Sequence, residues 1–384
     1  MILPPSTLGV LGGGQLGRYF VIAAHELGYR VVVLDPDRQS TAGRIADEHI
    51  IAAYDEPQAL QRMASICAAV TTEFESVPAA ALATLARFVP VRPGAEAVAV
   101  CQERSAEKRF LKTHGFPHVP YAEILSENDI RNVEAGLFPA ILKVARFGYD
   151  GKGQERVAGI DETLAAFRQF NKEPCVLERQ VTLDYELSLV LTRGESGEVR
   201  CFPASENHHR HGVLDYSRVP ARASAGELTR QAREIAEAIA DRMAYVGTLG
   251  VEFFVVDGRL QVNELAPRPH NSGHFTLDAC VASQFEQQVR ALCCLPLGEI
   301  RTHSPAVMVN LLGDLWYDED EQPMREPDWN ILLAEPRLKL HLYGKDVARP
   351  GRKMGHFTVL GEAAGDKVFE TAMACRAAIG IGDD

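Results

Sequence analysis

The stretch Gly250-Val251-Glu252-Phe253-Phe254-Val255-Val256-Asp257-Gly258-Arg259-Leu260-Gln261-Val262-Asn263-Glu264 reads as a β-hairpin, because β-branched and aromatic runs flank an Asp-Gly turn. Folding back at that turn sets Glu252 nearly opposite Glu264. A plain two-residue loop would offset them by one position and put them on opposite faces. One extra bulge residue brings them onto the same face. Two carboxylates on one sheet face, beside the Asn263 amide, repel unless something positive lies between them. Magnesium is a hard cation that takes carboxylate oxygens and shares its remaining sites with phosphates, and it meets that need. The alternative is a hairpin carrying two solvated acids.

At 384 residues the chain is long enough for two or three domains, each with its own core. Hydrophobic content of 46% and charged content of 24% are ordinary for a soluble globular protein. A net charge of −12 argues against nucleic acid or an anionic membrane as a general partner, while leaving room for local basic pockets. The eight cysteines are scattered and contain no Cys-x-x-Cys, which suits reduced thiols better than disulfides or zinc. No apolar stretch reaches membrane-spanning length, and Met1-Ile2-Leu3-Pro4-Pro5 lacks the layout of a signal peptide. A cytoplasmic protein is expected.

The first hundred residues alternate short apolar runs with helical periods, the pattern of an open parallel sheet. Strands are predicted at Thr7–Leu11, Arg30–Leu34, His49–Ala53, Ala68–Thr72 and Phe88–Val91, with helices at Gln15–Leu27, Pro57–Ser65 and Pro78–Ala86. A charged helix over Gln102–Thr113 opens a second region. That region continues with a strand ending in Lys143, a glycine-rich loop and mostly antiparallel strands, interrupted by the amphipathic helix Glu227–Met243. After about Pro296 come shorter strands (Ala306–Leu312, Lys339–Tyr343, His356–Leu360) and a closing helix.

Five further clusters bear on the chemistry. Gly12-Gly13-Gly14-Gln15-Leu16-Gly17 fits G-x-G-x-x-G between strand and helix, with Asp35 at the next strand end, so a dinucleotide cofactor is one reading. A tight strand-to-helix turn with a phosphate or small-substrate contact is the other. Arg146-Phe147-Gly148-Tyr149-Asp150-Gly151-Lys152-Gly153-Gln154 follows the strand of Lys143 and suits a phosphate flap, though it is not a Walker A sequence. Arg268, His270, Asn271 and Ser272 leave the hairpin directly after Glu264, where donors can meet anionic oxygens beside a metal. His208-His209-Arg210-His211 lacks compatible acid or thiol spacing for a transition metal, so one or two imidazoles facing a groove is the better reading. Lys345 and Arg349-Pro350-Gly351-Arg352-Lys353 form a basic patch, either a solvated turn or a phosphate clamp.

In this order the clusters resemble an ATP-grasp ligase, and more narrowly the N5-carboxyaminoimidazole ribonucleotide synthetase family of purine biosynthesis. The resemblance runs from Gly9 to about residue 361. It rests on residues 12–17, Thr-Thr-Glu-Phe-Glu at 71–75, residues 147–154, Asn-Glu-Leu-Ala-Pro-Arg-Pro-His-Asn-Ser-Gly-His at 263–274, and Arg-Pro-Gly-Arg-Lys-Met-Gly-His at 349–356. It implies an α/β and α+β chain: an N-terminal Rossmann-like parallel-sheet domain (1–100), an ATP-grasp domain (101–295) and a small C-terminal domain (296–384). It also implies a homodimer acting on ATP, bicarbonate and 5-aminoimidazole ribonucleotide, through carboxyphosphate.

Residue by residue, the resemblance implies that Arg104 and Lys143 contact ATP phosphates, with Gly148, Tyr149, Asp150, Gly151, Lys152, Gly153 and Gln154 folding over them. Glu178, Arg179, Gln180, Val181, Glu186 and His209 would surround the nucleotide, with Asn263 close to ATP or the metal. Glu252 and Glu264 would bind Mg²⁺, and Arg268 and His270 would be catalytic. Gln15, Leu16, Glu73, Asp150, Asn271, Ser272, Lys345, Arg352 and Lys353 would hold the ribonucleotide. Three other activities compete. A nicotinamide dehydrogenase leaves the glutamate pair unexplained, and a non-catalytic nucleotide-binding regulator leaves both metal acids without a use. Formate-dependent formylation of glycinamide ribonucleotide shares the ATP site, but the stretch at 349–356 favours the carboxylating family.

Overall fold

A computed structural model describes residues 1–146, 153–222, 226–317, 326–362 and 367–382. Near the N-terminus, four parallel strands lie in the order Glu48–Ile50, Arg30–Leu34, Thr7–Leu11, Ala69–Thr72. The apolar runs of Thr7–Leu11, Arg30–Leu34 and Ala69–Thr72 are buried, as a parallel sheet covered by helices requires. The stretch predicted as a strand at Phe88–Val91 contributes only an isolated bridge between Val70 and Val91. Pro90 and Pro93 carry no N–H, so the ladder cannot extend there.

The helix predicted over Gln102–Thr113 forms at Arg104–Thr113, and a separate helix, Ala95–Gln102, precedes it, with Glu103 extended between them. The Arg104 amide donates to the Ala145 carbonyl (2.9 Å) instead of continuing a helical ladder. The break starts a fresh helix at Arg104.

Two antiparallel sheets follow. A four-stranded sheet orders Tyr121–Ile124, Cys175–Arg179, Ala140–Val144 and Gln154–Val157. A nine-stranded sheet begins at the edge strand Arg259–Ala266 and passes through Gly247–Val256, Tyr185–Arg193, Ser205–Arg210 and Val213–Val219. It continues without interruption into Ala306–Leu312, Lys353–Leu360 and Leu338–Leu342, so chain on both sides of residue 296 shares one sheet. The helix Gly226–Arg242 buries Ala232, Ala236, Ile239 and Ala240 against Leu189, Leu249 and Val251.

The helix Gln284–Leu292 joins the parallel sheet to this larger body. Its Phe285, Val289 and Leu292 are fully buried in the cluster that holds Phe20 and Val21 of helix Gln15–Glu26. Burial of each such side chain stabilises the union by roughly 1.5–3 kcal/mol.

Candidate active site

The hairpin turn has φ of 49° at Asp257 and 66° at Gly258, the paired positive angles of a type I′ turn. The ladder runs from Val256–Arg259 to Phe253–Val262, then skips Asn263 and pairs Glu252 directly with Glu264. Asn263 is therefore the bulge residue. The core side of the outer strand changes parity there, from Leu260 and Val262 to Leu265, all buried. Glu252, Phe254 and Glu264 consequently line one cleft of about 840 Å³.

Each carboxylate already has a positive or donating neighbour. Glu252 faces His270 Nε2 at 3.3 Å and accepts from Asn263 Nδ2 at 3.2 Å. Burial pushes the Glu252 carboxyl up, but His270, His209 and the Asn263 amide outweigh it and hold it below the usual carboxylate range. Glu264 pairs with Arg104 at 3.5 Å. Two opposed, oxygen-only ligands flanked by an amide form the donor set that a hard divalent cation takes.

Across the cleft stands Lys143, on the four-stranded sheet. Its ammonium is 2.7 Å from Glu178 Oε2, and the fully buried Lys108 approaches Glu178 Oε1 at 3.4 Å. Burial lowers the Lys143 pKa against the pull of Glu178. Burial also opposes ionisation of Glu178, yet Lys108 and Lys143 bring its pKa down to about 2. Glu178 is thus an internal counter-ion to the two lysines. Arg179 is exposed and donates to the Gly136 carbonyl at 2.6 Å, and the Gln180 amide donates to Pro139. Val181 is partly buried.

Glu186 and His209 both line the cleft and are hydrogen-bonded to each other. His208 instead stacks on Tyr216 and His211 occupies a turn with φ of 51°. Gln154 lines the cleft, and the Gly153 carbonyl accepts from the Val144 amide. Gly148, Tyr149, Asp150, Gly151 and Lys152 lie outside the described residues.

The loop leaving the hairpin brings Arg268, His270 and Asn271 to the same cleft. Arg268 Nε donates to Glu75 Oε2 at 2.5 Å, and this guanidinium holds the Glu75 carboxyl down against burial. Gln284 brackets His270, accepting its amide and donating to its carbonyl, both at 2.8 Å. Ser272 is fully buried, and its hydroxyl contacts His270 Nδ1 at 2.8 Å and Ser188 at 2.5 Å, placing it behind His270. Asn271 is 8% exposed, and neither amide atom of its side chain has a partner among the described residues. A buried, unmatched amide on a cleft wall is suited to a polar ligand.

At the far end of the cleft are Gln15, Leu16, Glu73 and Lys353. Lys345 donates to Gln15 Oε1 at 2.9 Å and to the Lys353 carbonyl at 2.5 Å, so the C-terminal basic turn meets the glycine-rich helix here. Arg352, in the same turn, donates to the Val347 carbonyl at 2.6 Å.

The glycine-rich turn itself is closed to a dinucleotide phosphate. Glu73 accepts the Gly14 amide at 2.6 Å and the Gly17 amide at 2.8 Å, and Asp35 accepts the Gly13 amide at 2.7 Å. Asp35 also accepts the Tyr54 hydroxyl at 2.7 Å. Protein carboxylates occupy the positions that a pyrophosphate and ribose would need, which removes the dehydrogenase reading.

Four residues without a predicted role belong to this site: Glu75, Glu107, Lys108 and Gln284. Glu75 was visible within the 71–75 stretch. The others act through contacts distant in sequence and leave no local pattern. A separate group of potential ligands, Asp278, His341 and His356, lies close together. The rings of His341 and His356 are stacked at 4.5 Å and 14°, with His341 Nε2 2.8 Å from Asp278 and His356 Nδ1 2.8 Å from the Tyr343 hydroxyl, so these ring nitrogens already have protein partners.

The ribonucleotide synthetase preATP-grasp domain family matches residues 6–102, the ATP-grasp domain family matches 109–285, and the phosphoribosylaminoimidazole carboxylase C-terminal domain family matches 306–367. The chain is 44% identical to the N5-carboxyaminoimidazole ribonucleotide synthase of Brucella melitensis, over 92% of this chain and 96% of that protein. It is similar to a crystal structure of an N5-carboxyaminoimidazole ribonucleotide synthetase bound to ADP, with TM-score 0.89, 38% identity and coverage of 99% and 98% of the two chains. It is also similar to the Aspergillus clavatus synthase in complex with ADP and 5-aminoimidazole ribonucleotide, with TM-score 0.87, 29% identity and 98% of both chains covered.

Proposed function

The chain belongs to the N5-carboxyaminoimidazole ribonucleotide synthase family, and from that premise we propose that it carboxylates the exocyclic amine of 5-aminoimidazole ribonucleotide with bicarbonate and ATP. A bicarbonate oxygen takes the γ-phosphoryl group as the bond to the β-phosphate oxygen breaks, giving carboxyphosphate and ADP. Carboxyphosphate collapses to CO₂ and phosphate. The amine then forms an N–C bond to CO₂ and loses a proton, leaving the carbamate.

The observation that carries this reading is the opposition of Glu252 and Glu264 in one cleft with Lys143, Arg104, Arg268 and His270. Glu252 and Glu264 would hold Mg²⁺, which supplies positive charge against the ATP phosphates. Lys143 and Arg104 add fixed cations for those phosphates, with Gln154 on the same cleft wall and Glu186 and His209 at the nucleoside. Arg268 and His270 are the proposed catalytic pair, donors to the bicarbonate and carboxyphosphate oxygens. Arg268 is oriented by Glu75 and His270 by Gln284 and Ser272. Carboxyphosphate is short-lived in water, so these donors must act in a site that excludes it. Gln15, Lys345, Arg352, Lys353 and Asn271 are assigned to the ribonucleotide, the cations to its 5′-phosphate.

The three-domain division at about residues 100 and 295 and a cytoplasmic homodimer are part of the same reading. The free cysteines support a reducing compartment, and the family resemblance implies the dimer. Phosphate release measured with Mg²⁺, ATP, bicarbonate and ribonucleotide, omitting each in turn, tests the assignment. Release that requires the ribonucleotide, with an acid-labile carbamate formed, supports it. Turnover with formate and glycinamide ribonucleotide instead would overturn the substrate.

A further inference from the structure

Among the described residues, the strand Arg259–Ala266 is the edge of its sheet, and apart from an isolated bridge between Val262 and His118 its outward-facing amides and carbonyls have no strand partner. Three groups from one neighbouring segment supply them. The Val262 amide donates to the Pro117 carbonyl at 2.8 Å, Lys108 Nζ donates to the Asn263 carbonyl at 3.2 Å, and Glu107 Oε2 accepts the Leu265 amide at 2.8 Å. The last two contacts grip the backbone on either side of Glu264. Arg104, Glu107 and Lys108 sit at i, i+3 and i+4 of helix Arg104–Thr113, so a single helix face holds the bulge and pairs with the Glu264 carboxylate.

We propose that Glu107 and Lys108 are positioning residues: they pin the Asn263 bulge, and with it the Glu264 carboxylate, at a set distance from Lys143. Lys108 connects the two walls of the cleft, because its ammonium contacts both the Asn263 carbonyl on the hairpin and Glu178, the counter-ion of Lys143. A bulge leaves its extra residue outside the regular ladder, so something other than the sheet must hold it. Stability alone does not account for this pair. Lys108 is 0% exposed and Glu107 2% exposed, with Glu107 Oε1 lacking a hydrogen-bond partner among the described residues. Apolar packing would serve a purely structural position at least as well.

This inference rests on the reading of Glu252 and Glu264 as metal ligands, and the test separates the two. Mn²⁺ binding is measured by calorimetry and electron spin resonance in the presence of ADP, for wild type, Glu264→Gln, Lys108→Met, Glu107→Leu and Glu107→Gln. Thermal melting checks that each is folded, and ribonucleotide affinity is measured in parallel. Outer-shell partners of metal ligands typically govern about 10- to 100-fold in metal affinity. Lys108→Met and Glu107→Leu are expected to weaken Mn²⁺ binding by about tenfold or more, with ribonucleotide affinity unchanged. Glu107→Gln keeps an acceptor for the Leu265 amide and should bind Mn²⁺ close to the wild-type level.

If Glu264→Gln loses Mn²⁺ while folded Lys108→Met and Glu107→Leu keep wild-type affinity, the positioning role is overturned and the metal assignment stands. If Glu264→Gln binds Mn²⁺ like wild type, the metal assignment falls and the inference with it. Should Lys108→Met fail to fold, Glu107→Leu decides alone, since it leaves Lys108 paired with Glu178.

Discussion

Gln284 holds both backbone polar groups of His270, accepting the amide through Oε1 and donating to the carbonyl through Nε2, each at 2.8 Å. The glutamine is fully buried, so no water replaces it. Its place is fixed at the start of a helix whose other face packs against the N-terminal sheet, which couples the reactive loop to that sheet.

Gln284→Leu is expected to leave two buried backbone groups unsatisfied, at a cost of about 1–3 kcal/mol each. Displacement of His270 by an ångström should lower kcat on the order of 100-fold. Steady-state kinetics beside urea unfolding checks both effects. Normal kcat in a destabilised variant would show that His270 does not need this support.

Glu264→Gln keeps the shape of the side chain and removes the charge proposed to bind the metal. Turnover should be lost while circular dichroism and melting stay near wild type. Full activity in that variant would end the metal assignment.

Arg352→Ala should raise the KM for the ribonucleotide far more than the KM for ATP, because Lys345 ties the basic turn to Gln15, bonding both the Gln15 side chain and the Lys353 carbonyl. A selective loss of ATP affinity would mean that the turn serves the nucleotide.

The Lys108–Glu178–Lys143 cluster gives stability a defined pH dependence. Burial opposes ionisation of Glu178, but the lysines bring its pKa from 4.5 to about 2 in the folded protein. Its contribution is therefore present above pH 4.5 and lost as pH falls towards 2. Removing one partner of such a buried pair costs on the order of 3–5 kcal/mol near neutrality. Glu178→Gln should show that deficit at pH 7 and a smaller one at lower pH in urea titrations. A pH-independent difference would contradict the ion-pair account.

Gly14→Ala would place a Cβ 2.5 Å from Glu73 Oε1, so the carboxylate must leave its two backbone donors. Overpacking of this kind costs about 1–3 kcal/mol. Calorimetric melting should register that loss, and titration of wild type with NADH should show no binding. NADH binding to wild type would restore the dinucleotide reading of this turn.

Much of the proposed ATP site was legible because its signals are local. Hydrophobic alternation, the Asp-Gly turn and the need for a bulge identify the hairpin and place Glu252 opposite Glu264. The structure identifies the extra residue as Asn263. The strand of Lys143, the loop of Arg268 and His270, and the basic turn were likewise marked by residue types clustered within a few positions. The glycine-rich turn was legible as a shape, but the groups that occupy its amides were not. Only the folded chain brings Glu73, distant in sequence, onto its amides.

What the sequence alone determined was the set of elements, their period and the residue types able to bind phosphate and metal, since these follow from backbone geometry over a few residues. The tertiary structure decided which of those groups are already occupied. Glu178 is neutralised by Lys108 and Lys143, Ser272 stands behind His270, and Arg268 is held by Glu75. A side chain's partner across tens or hundreds of residues is selected by packing and desolvation, and neither is encoded in any short window of the chain.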